Sequence, residues 1–250
     1  MAARPPLIVA PLIVAIDGPA GAGKSTVARA LAQRFGLLNL ESGAMYRAFA
    51  LKALQAGVAT SDATALETLA HTTQVRLVAG RNETGDGNRV LLDGIDVTGQ
   101  LRTPQITAAA SEVSVHPPIR RWLVGLQQSL GAQGNVVMEG RDIGTVVFPH
   151  APVKIFLDAS PEKRGERRYE QTRGDQQLGG TAVVTQLPTT VLEEIRERDR
   201  RDRTRADSPL RPAPDAIIID STDLTLDEVI ARAAALVEGY LRDQGSGIRG

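Results

Sequence analysis

Residues 12–25 read Leu-Ile-Val-Ala-Ile-Asp-Gly-Pro-Ala-Gly-Ala-Gly-Lys-Ser, and this stretch decides the fold. Its first five residues are a short apolar run of the kind that forms a strand buried on both faces. The last eight, Gly18, Pro19, Ala20, Gly21, Ala22, Gly23, Lys24 and Ser25, fit the pattern G-x-x-x-x-G-K-[ST] without a mismatch. A helix is predicted from Lys24 onward, so the glycines stand between a strand and a helix. Glycines let backbone N–H groups converge on an anion with no Cβ in the way, and the helix N-terminus adds its partial positive charge. Lys24 is then placed for the β- and γ-phosphates of a nucleoside triphosphate, and the Ser25 hydroxyl for Mg²⁺, with Thr26 beside it as a second hydroxyl. A glycine-rich turn that binds nothing is the alternative, and the strand–loop–helix setting speaks against it.

Working outward, the apolar stretch 7–16 superficially has the look of a signal peptide, with Arg4 before it. It is broken by Pro11, lacks a cleavage-site pattern and falls short of the ~20 apolar residues that span a bilayer. Three more apolar runs, 136–138, 153–157 and 216–219, read as parallel strands. They alternate with helical periodicity over 24–35, 44–56, 62–71, 119–131, 161–172, 192–205 and 226–241, which is the rhythm of a doubly wound α/β sheet. Asp62 and Ser160 are suited to cap helix N-termini, and Gly36 and Gly57 to end helices. Two stretches break the rhythm. Residues 74–97 alternate around Asn and Gly and predict a small antiparallel insert, and 174–188, rich in Gly, Gln and Thr, predicts a mobile loop.

Composition removes whole classes of function. Lys and Arg together number 29 and Asp and Glu 29, so no net positive field exists to hold a nucleic acid polymer. The absence of cysteine excludes disulfides, Cys-ligated metals and thiol nucleophiles. Eight aromatic residues (Trp 1, Tyr 3, Phe 4) are too few for a base-stacking platform. What remains is an enzyme or nucleotide switch with no membrane segment, expected in the cytoplasm. His71, His116 and His150 are scattered and suggest no metal site, and Trp122 on an amphipathic helix is expected in the core.

A triphosphate loop does not say what becomes of the triphosphate. Two further clusters bear on that. Glu41-Ser-Gly-Ala-Met-Tyr-Arg47 places Ser42 near the start of a helix and Arg47 about a turn and a half further on. Glu139-Gly-Arg-Asp142 follows a predicted core strand at its carboxyl end, where ligands bind in open α/β sheets. Taken singly, helix capping explains Ser42, a solvated face explains Arg47, and a surface ion pair explains Arg141 and Asp142. The conjunction with the phosphate loop argues for a site.

The segments IDGPAGAGKSTVARALA, ESGAMYRAFAL, DVTGQLRT, MEGRDIGTVVFPHAPVKIFLDAS and ERDRRDRTRA together resemble bacterial cytidylate kinases, members of the nucleoside monophosphate kinases, over nearly the whole chain except the two tails. The resemblance implies an α/β P-loop NTPase fold: a five-stranded parallel sheet with helices on both faces, a small antiparallel insert in the monophosphate-binding region, and a short lid. It implies a single domain over 1–250, with its core at about 12–243, the monophosphate-binding region at about 40–115, the lid at about 161–190, and tails at 1–11 and 244–250. ATP is then the donor, CMP or dCMP the acceptor, Mg²⁺ the metal, and a monomer the expected state. By the same resemblance Ser42, Arg47 and Arg141 surround the acceptor phosphate, and Ser111, Arg120 and Asp142 read the cytosine edge. Asp202 with Arg205 holds the ribose, and Arg198 lies near the transferring phosphoryl group, where Lys24 and Arg141 also act.

Residues 161–211 carry only a slight positive excess, but their arginines cluster. Arg164, Arg167 and Arg168 are expected on a lid helix over the triphosphate, and the helix carrying Arg198 to Arg205 could equally be laced by pairs such as Glu194–Arg198 and Glu197–Arg201. The chain departs from the family pattern at Ser25, where many members have Gly, and at Glu41 and Glu139, where Asp is common. Rival readings are a kinase for UMP, AMP or a sugar, and a non-catalytic nucleotide switch. The base-reading set argues against a sugar, and a second phosphate pocket at Arg47 and Arg141 against a switch.

Overall fold

The computed structural model describes residues 11–78, 88–176 and 189–246. In chain order the elements are β1 (Ile13–Asp17), α1 (Lys24–Phe35), β2 (Leu38–Glu41), α2 (Ser42–Gln55), α3 (Ala63–Thr72), β3 (Val75–Val78), β4 (Arg89–Leu92), β5 (Ile95–Asp96), α4 (Pro104–Val113), α5 (Pro117–Gly131), β6 (Val136–Gly140), β7 (Val153–Asp158), α6 (Pro161–Gln176), α7 (Thr189–Thr204), β8 (Ile217–Asp220) and α8 (Leu226–Ser246). Five strands form one parallel sheet in the order β2-β6-β1-β7-β8. Because every strand runs the same way, the segments that follow β1, β2 and β6 all emerge at one edge, and the site is built there.

Strand alternation assigns the two faces of β1. Leu12, Val14 and Ile16 pack with Val27 and Leu31 of α1 and Ala233 and Val237 of α8. Ile13 and Ala15 face the other way, toward Leu40, Met138, Ile143 and Val147. Full burial of each such aliphatic side chain stabilises by about 1.5–3 kcal/mol. A further cluster joins α2 to α5 with β4, through Met45, Phe49, Leu66, Leu92 and Leu123. Trp122 meets the Phe49 ring edge-on at 5.2 Å and packs against the core cluster, as expected.

Local signals act as read. Asp62 Oδ1 accepts from the Ala65 N–H at the start of α3, and Ser160 Oγ from the Lys163 N–H at the start of α6. Gly36 and Gly57 both adopt positive φ just after helices. The antiparallel insert is β3-β4-β5, with Val75 opposite Leu92 and Leu91 opposite Asp96; residues 79–87 lie outside the described part. Gly18, with φ of 148°, lies flat against β7: a Cβ there would stand 1.9 Å from the Leu157 carbonyl oxygen. The phosphate loop therefore begins where no side chain fits.

Several expectations need correction. β2 was not marked by its residues, because Leu38-Asn-Leu-Glu41 is short and half polar; it completes the five strands. Helix α4 also went unread, although Thr103 accepts from the Ile106 N–H and Pro104 occupies its first turn. The expected mobile loop 174–188 begins inside α6, which runs to Gln176, and its remaining residues, 177–188, lie outside the described part. α7 starts at Thr189, three residues earlier than predicted. One π-helical turn, Ile143–Val147, follows β6 and had no counterpart in the reading.

Candidate active site

At the carboxyl edge of the sheet opens a cleft of about 790 Å³, walled by the phosphate loop, the start of α2, the end of β6, and helices α6 and α7. No side chain caps the N-terminus of α1, where Gly23 takes a φ of 94°. That turn lies at the cleft wall with free N–H groups, which is an anion site without further elaboration. Lys24 is 5% exposed, so it is a buried residue and not an exposed loop lysine. Its Nζ donates to the Pro19 carbonyl at 2.7 Å. Burial, with Arg141 and Arg198 nearby, pushes the Lys24 ammonium down to about 7, against the pull of Glu139 and Asp17.

The same crowding marks the middle of the cleft. Arg47 bonds Glu41 Oε1, while Arg102, more exposed, stands 3.7 Å from the second oxygen. Arg141 donates through Nε to Asp202 Oδ2 at 2.8 Å and through Nη1 to the Gly140 carbonyl at 3.2 Å. Arg198 is inward-facing and its Nε has no hydrogen-bond partner. Burial and then Arg141 pull its guanidinium down to about 10, Asp202 opposes them, and Arg47 and Arg168 add to the depression. Two buried cations, Lys24 and Arg198, are both depressed with Arg141 among the causes, which suits a pocket that takes an anion.

The far end is polar and closely bonded. Arg120, 2% exposed, bonds Asp142 Oδ2 and donates to the Ser114 carbonyl at 3.2 Å, with its guanidinium 6.0 Å from the centre of the Tyr46 ring. Ser111 Oγ on α4 is buried without a hydrogen-bond partner, as is Arg205 Nη2. Ser42 Oγ donates to the Glu139 carbonyl at 2.8 Å, which fixes the first turn of α2 to the end of β6. The alternative of an Arg141–Asp142 surface pair does not hold: each residue pairs elsewhere, inside the cleft.

Ser25, expected at the metal, donates to Glu139 Oε1 at 2.9 Å. The lid arginines divide. Arg164, expected over the triphosphate, lies beneath the loop with four donations to protein oxygens: to Ala159 O at 2.9 Å, Ala20 O at 3.1 Å, and both Asp199 oxygens at 3.0 and 2.5 Å. It braces α6, α7 and the phosphate loop. Arg167 donates to Ser221 Oγ at 3.0 Å and Ser221 O at 2.7 Å, beside the cleft that Arg168 also lines. Of the two helical pairs considered for α7, Glu197–Arg201 forms at 3.4 Å, whereas Arg198 turns into the cleft.

Three residues escaped the sequence reading. Asp17, the last residue of β1, is buried and accepts from the N–H groups of Ile143 and Gly144, both at 2.7 Å. Burial raises its carboxyl to about 7, more than those two bonds lower it. Asp199 and Ser221 are the others, anchoring Arg164 and Arg167. Asp17 adjoins Gly18, but its partners lie far along the chain, and no sequence pattern marks the role of any of the three.

The family model of cytidylate kinase matches residues 14–239. The chain belongs to the cytidylate kinase family. A cytidylate kinase of Solibacter usitatus is 48% identical over 218 residues, covering 87% of this chain and 88% of that one. One from Pasteurella multocida is 44% identical, covering 92% and 96%, and one from Pelotomaculum thermopropionicum 48% identical, covering 92% and 97%. The phosphate loop, the Glu41–Arg47 segment and the Glu139–Asp142 segment, far apart in the sequence, wall one cleft here.

Proposed function

We propose that this protein transfers the γ-phosphoryl group of ATP to CMP or dCMP, giving CDP or dCDP and ADP. The observation that carries it is the cleft's division into an uncapped helix N-terminus with Lys24, a central cluster of Arg47, Arg141 and an Arg198 whose Nε is unpartnered, and a buried Arg120–Asp142 pair at the far end. The donor triphosphate occupies residues 18–26, the acceptor phosphate lies among Ser42, Arg47 and Arg141, and the ribose meets Asp202 and Arg205. Cytosine offers a 4-amino donor to Asp142 and acceptors at N3 and O2 to Arg120 and Ser111, whose unpartnered hydroxyl suits that task. A uracil carbonyl in place of the amino group would face the Asp142 carboxylate.

No side-chain base is required. The acceptor phosphate is already an anionic nucleophile, so alignment and neutralisation of the spreading charge do the work. Lys24, Arg141 and Arg198 supply that neutralisation at the transferring group. Ser25 Oγ and Glu139 Oε1, adjacent hard oxygen donors at the cleft wall, fit Mg²⁺, and those two residues would hold it. When bound, the ion neutralises phosphate charge and orients the triphosphate. Every group named comes from one chain, so a monomer suffices, with residues 40–115 as its acceptor-binding region and 161–190 as its lid.

The test is ADP release measured with CMP, dCMP, UMP and AMP as acceptors. CMP and dCMP should react with much the highest kcat/KM. Equal turnover with AMP, or ATP hydrolysis with no acceptor dependence, would overturn the assignment.

A further inference from the structure

Four charges alternate in sign around the base end of the cleft. Asp207 Oδ2 stands 4.0 Å from Arg120 Nε, Arg120 bonds Asp142 Oδ2, and Arg205 Nη2 lies 3.9 Å from Asp142 Oδ1. Arg205 Nε donates to the carbonyl of Ser208 at 2.6 Å, which returns the chain of contacts to the neighbour of Asp207. The geometry points to Asp207 as a positioning residue that holds Arg120 for reading the acceptor base.

Arg120 Nε is buried and has no hydrogen-bond partner, and the Asp207 carboxylate faces it. Asp207 itself is about two-fifths exposed, at 39%, so it can approach without repacking the interior. Its loop is nonetheless shaped. Ser208 adopts a positive φ of 51°, Ser208 Oγ donates to Asp207 Oδ1 at 3.0 Å, and the Leu210 N–H donates to the Asp202 carbonyl at 2.8 Å. Asp207 therefore rides on the same short stretch as Asp202 and Arg205, at the end of α7.

Base binding makes the second carboxylate necessary. Asp142 must accept from the amino group of the base while Arg120 donates to its ring nitrogen and carbonyl, and both bonds draw on the existing Arg120–Asp142 pair. A buried guanidinium that loses part of its partner is strongly disfavoured. Asp207 keeps an anion on the Nε edge while the Nη groups turn to the base. Burial opposes the charge on Arg120, and Tyr46, Asp142 and Asp207 together more than offset it.

Asp207→Asn retains the shape and the bond from Ser208 but removes the charge. With wild type and variant assayed on CMP, UMP and ATP, KM for CMP should rise about fivefold while kcat and KM for ATP stay within about twofold. The preference for CMP over UMP should narrow, and Asp207→Glu should recover most of both effects. Unchanged KM for CMP and unchanged preference would sink the role. So would equal losses for CMP and ATP with a lowered Tm, which would make Asp207 a loop-structure residue only. The role presupposes a cytidylate site: inactivity of the wild type on CMP overturns both, whereas an active wild type with an indifferent variant overturns this role alone.

Discussion

Ser25 Oγ donates to Glu139 Oε1 at 2.9 Å, joining the first turn of α1 to the end of β6 across 114 residues of sequence. The chain thus brings together two oxygens, the pair proposed to hold Mg²⁺, from two elements whose relative position the parallel pairing of β1 with β6 has already set.

Ser25→Ala should therefore raise the Mg²⁺ concentration needed for half-maximal rate several-fold while leaving KM for CMP nearly unchanged. The check is a titration of initial rate against free Mg²⁺ at saturating CMP. A shift in KM for CMP with no change in the metal requirement would place the hydroxyl elsewhere in the reaction.

Lys24 gives a pH signature. With its ammonium lowered to about 7 in the ligand-free cleft, it is mostly neutral at about pH 8, and a bound triphosphate restores its charge. ATP binding at about pH 8 should take up close to one proton, and affinity should fall by up to about tenfold per pH unit above 7. Calorimetry in buffers of different ionisation enthalpy reads the uptake directly. Lys24→Ala should lose both the uptake and nearly all transfer, and binding heats that do not depend on buffer would contradict the assignment.

Asp142→Ala leaves Arg120 buried beside an empty space. We expect a loss of about 3 kcal/mol of stability, the cost of uncovering one partner of a buried pair. Activity on CMP should collapse with little change in ATP affinity. Urea unfolding and ATP binding by calorimetry measure the two effects separately, and loss of ATP binding with CMP binding intact would reverse the assignment of the pocket.

Asp17 titrates in the opposite sense to an ordinary paired carboxylate. Its folded value, about 7, lies above its ordinary value of 3.8, so its contribution to stability is full below the lower value and is lost as pH rises through the upper one. Between those values the slope is at most about 1.4 kcal/mol per pH unit. The stability of wild type relative to Asp17→Asn should thus decline from about pH 5 to about pH 7 and level off above it. Parallel denaturation curves at both pH values would show that Asp17 is ionised throughout.

The phosphate loop and its flanking strand and helix were legible because glycine pattern, apolar run and lysine all point to one geometry. Ser42, Arg47, Arg141 and Asp142 were legible only as clusters, since nothing local says that three strand ends meet at one edge. Arg164 shows the limit. In sequence it is one arginine of three on a charged helix, and only the fold turns it inward to Asp199, 35 residues away. Asp17 was hidden differently: its partners are backbone N–H groups of a turn that lies 126 and 127 residues on.

Arg164 also gives the enzyme a mechanical constraint. A single guanidinium holds the Ala20 carbonyl of the phosphate loop and the Asp199 carboxylate of α7, and α7 carries Arg198 beside Asp199 and Asp202 about a turn further on. On the proposed reading, one side chain ties the wall that would take the acceptor to the loop that would take the donor, so a rotation of α7 would be felt as a pull on that loop.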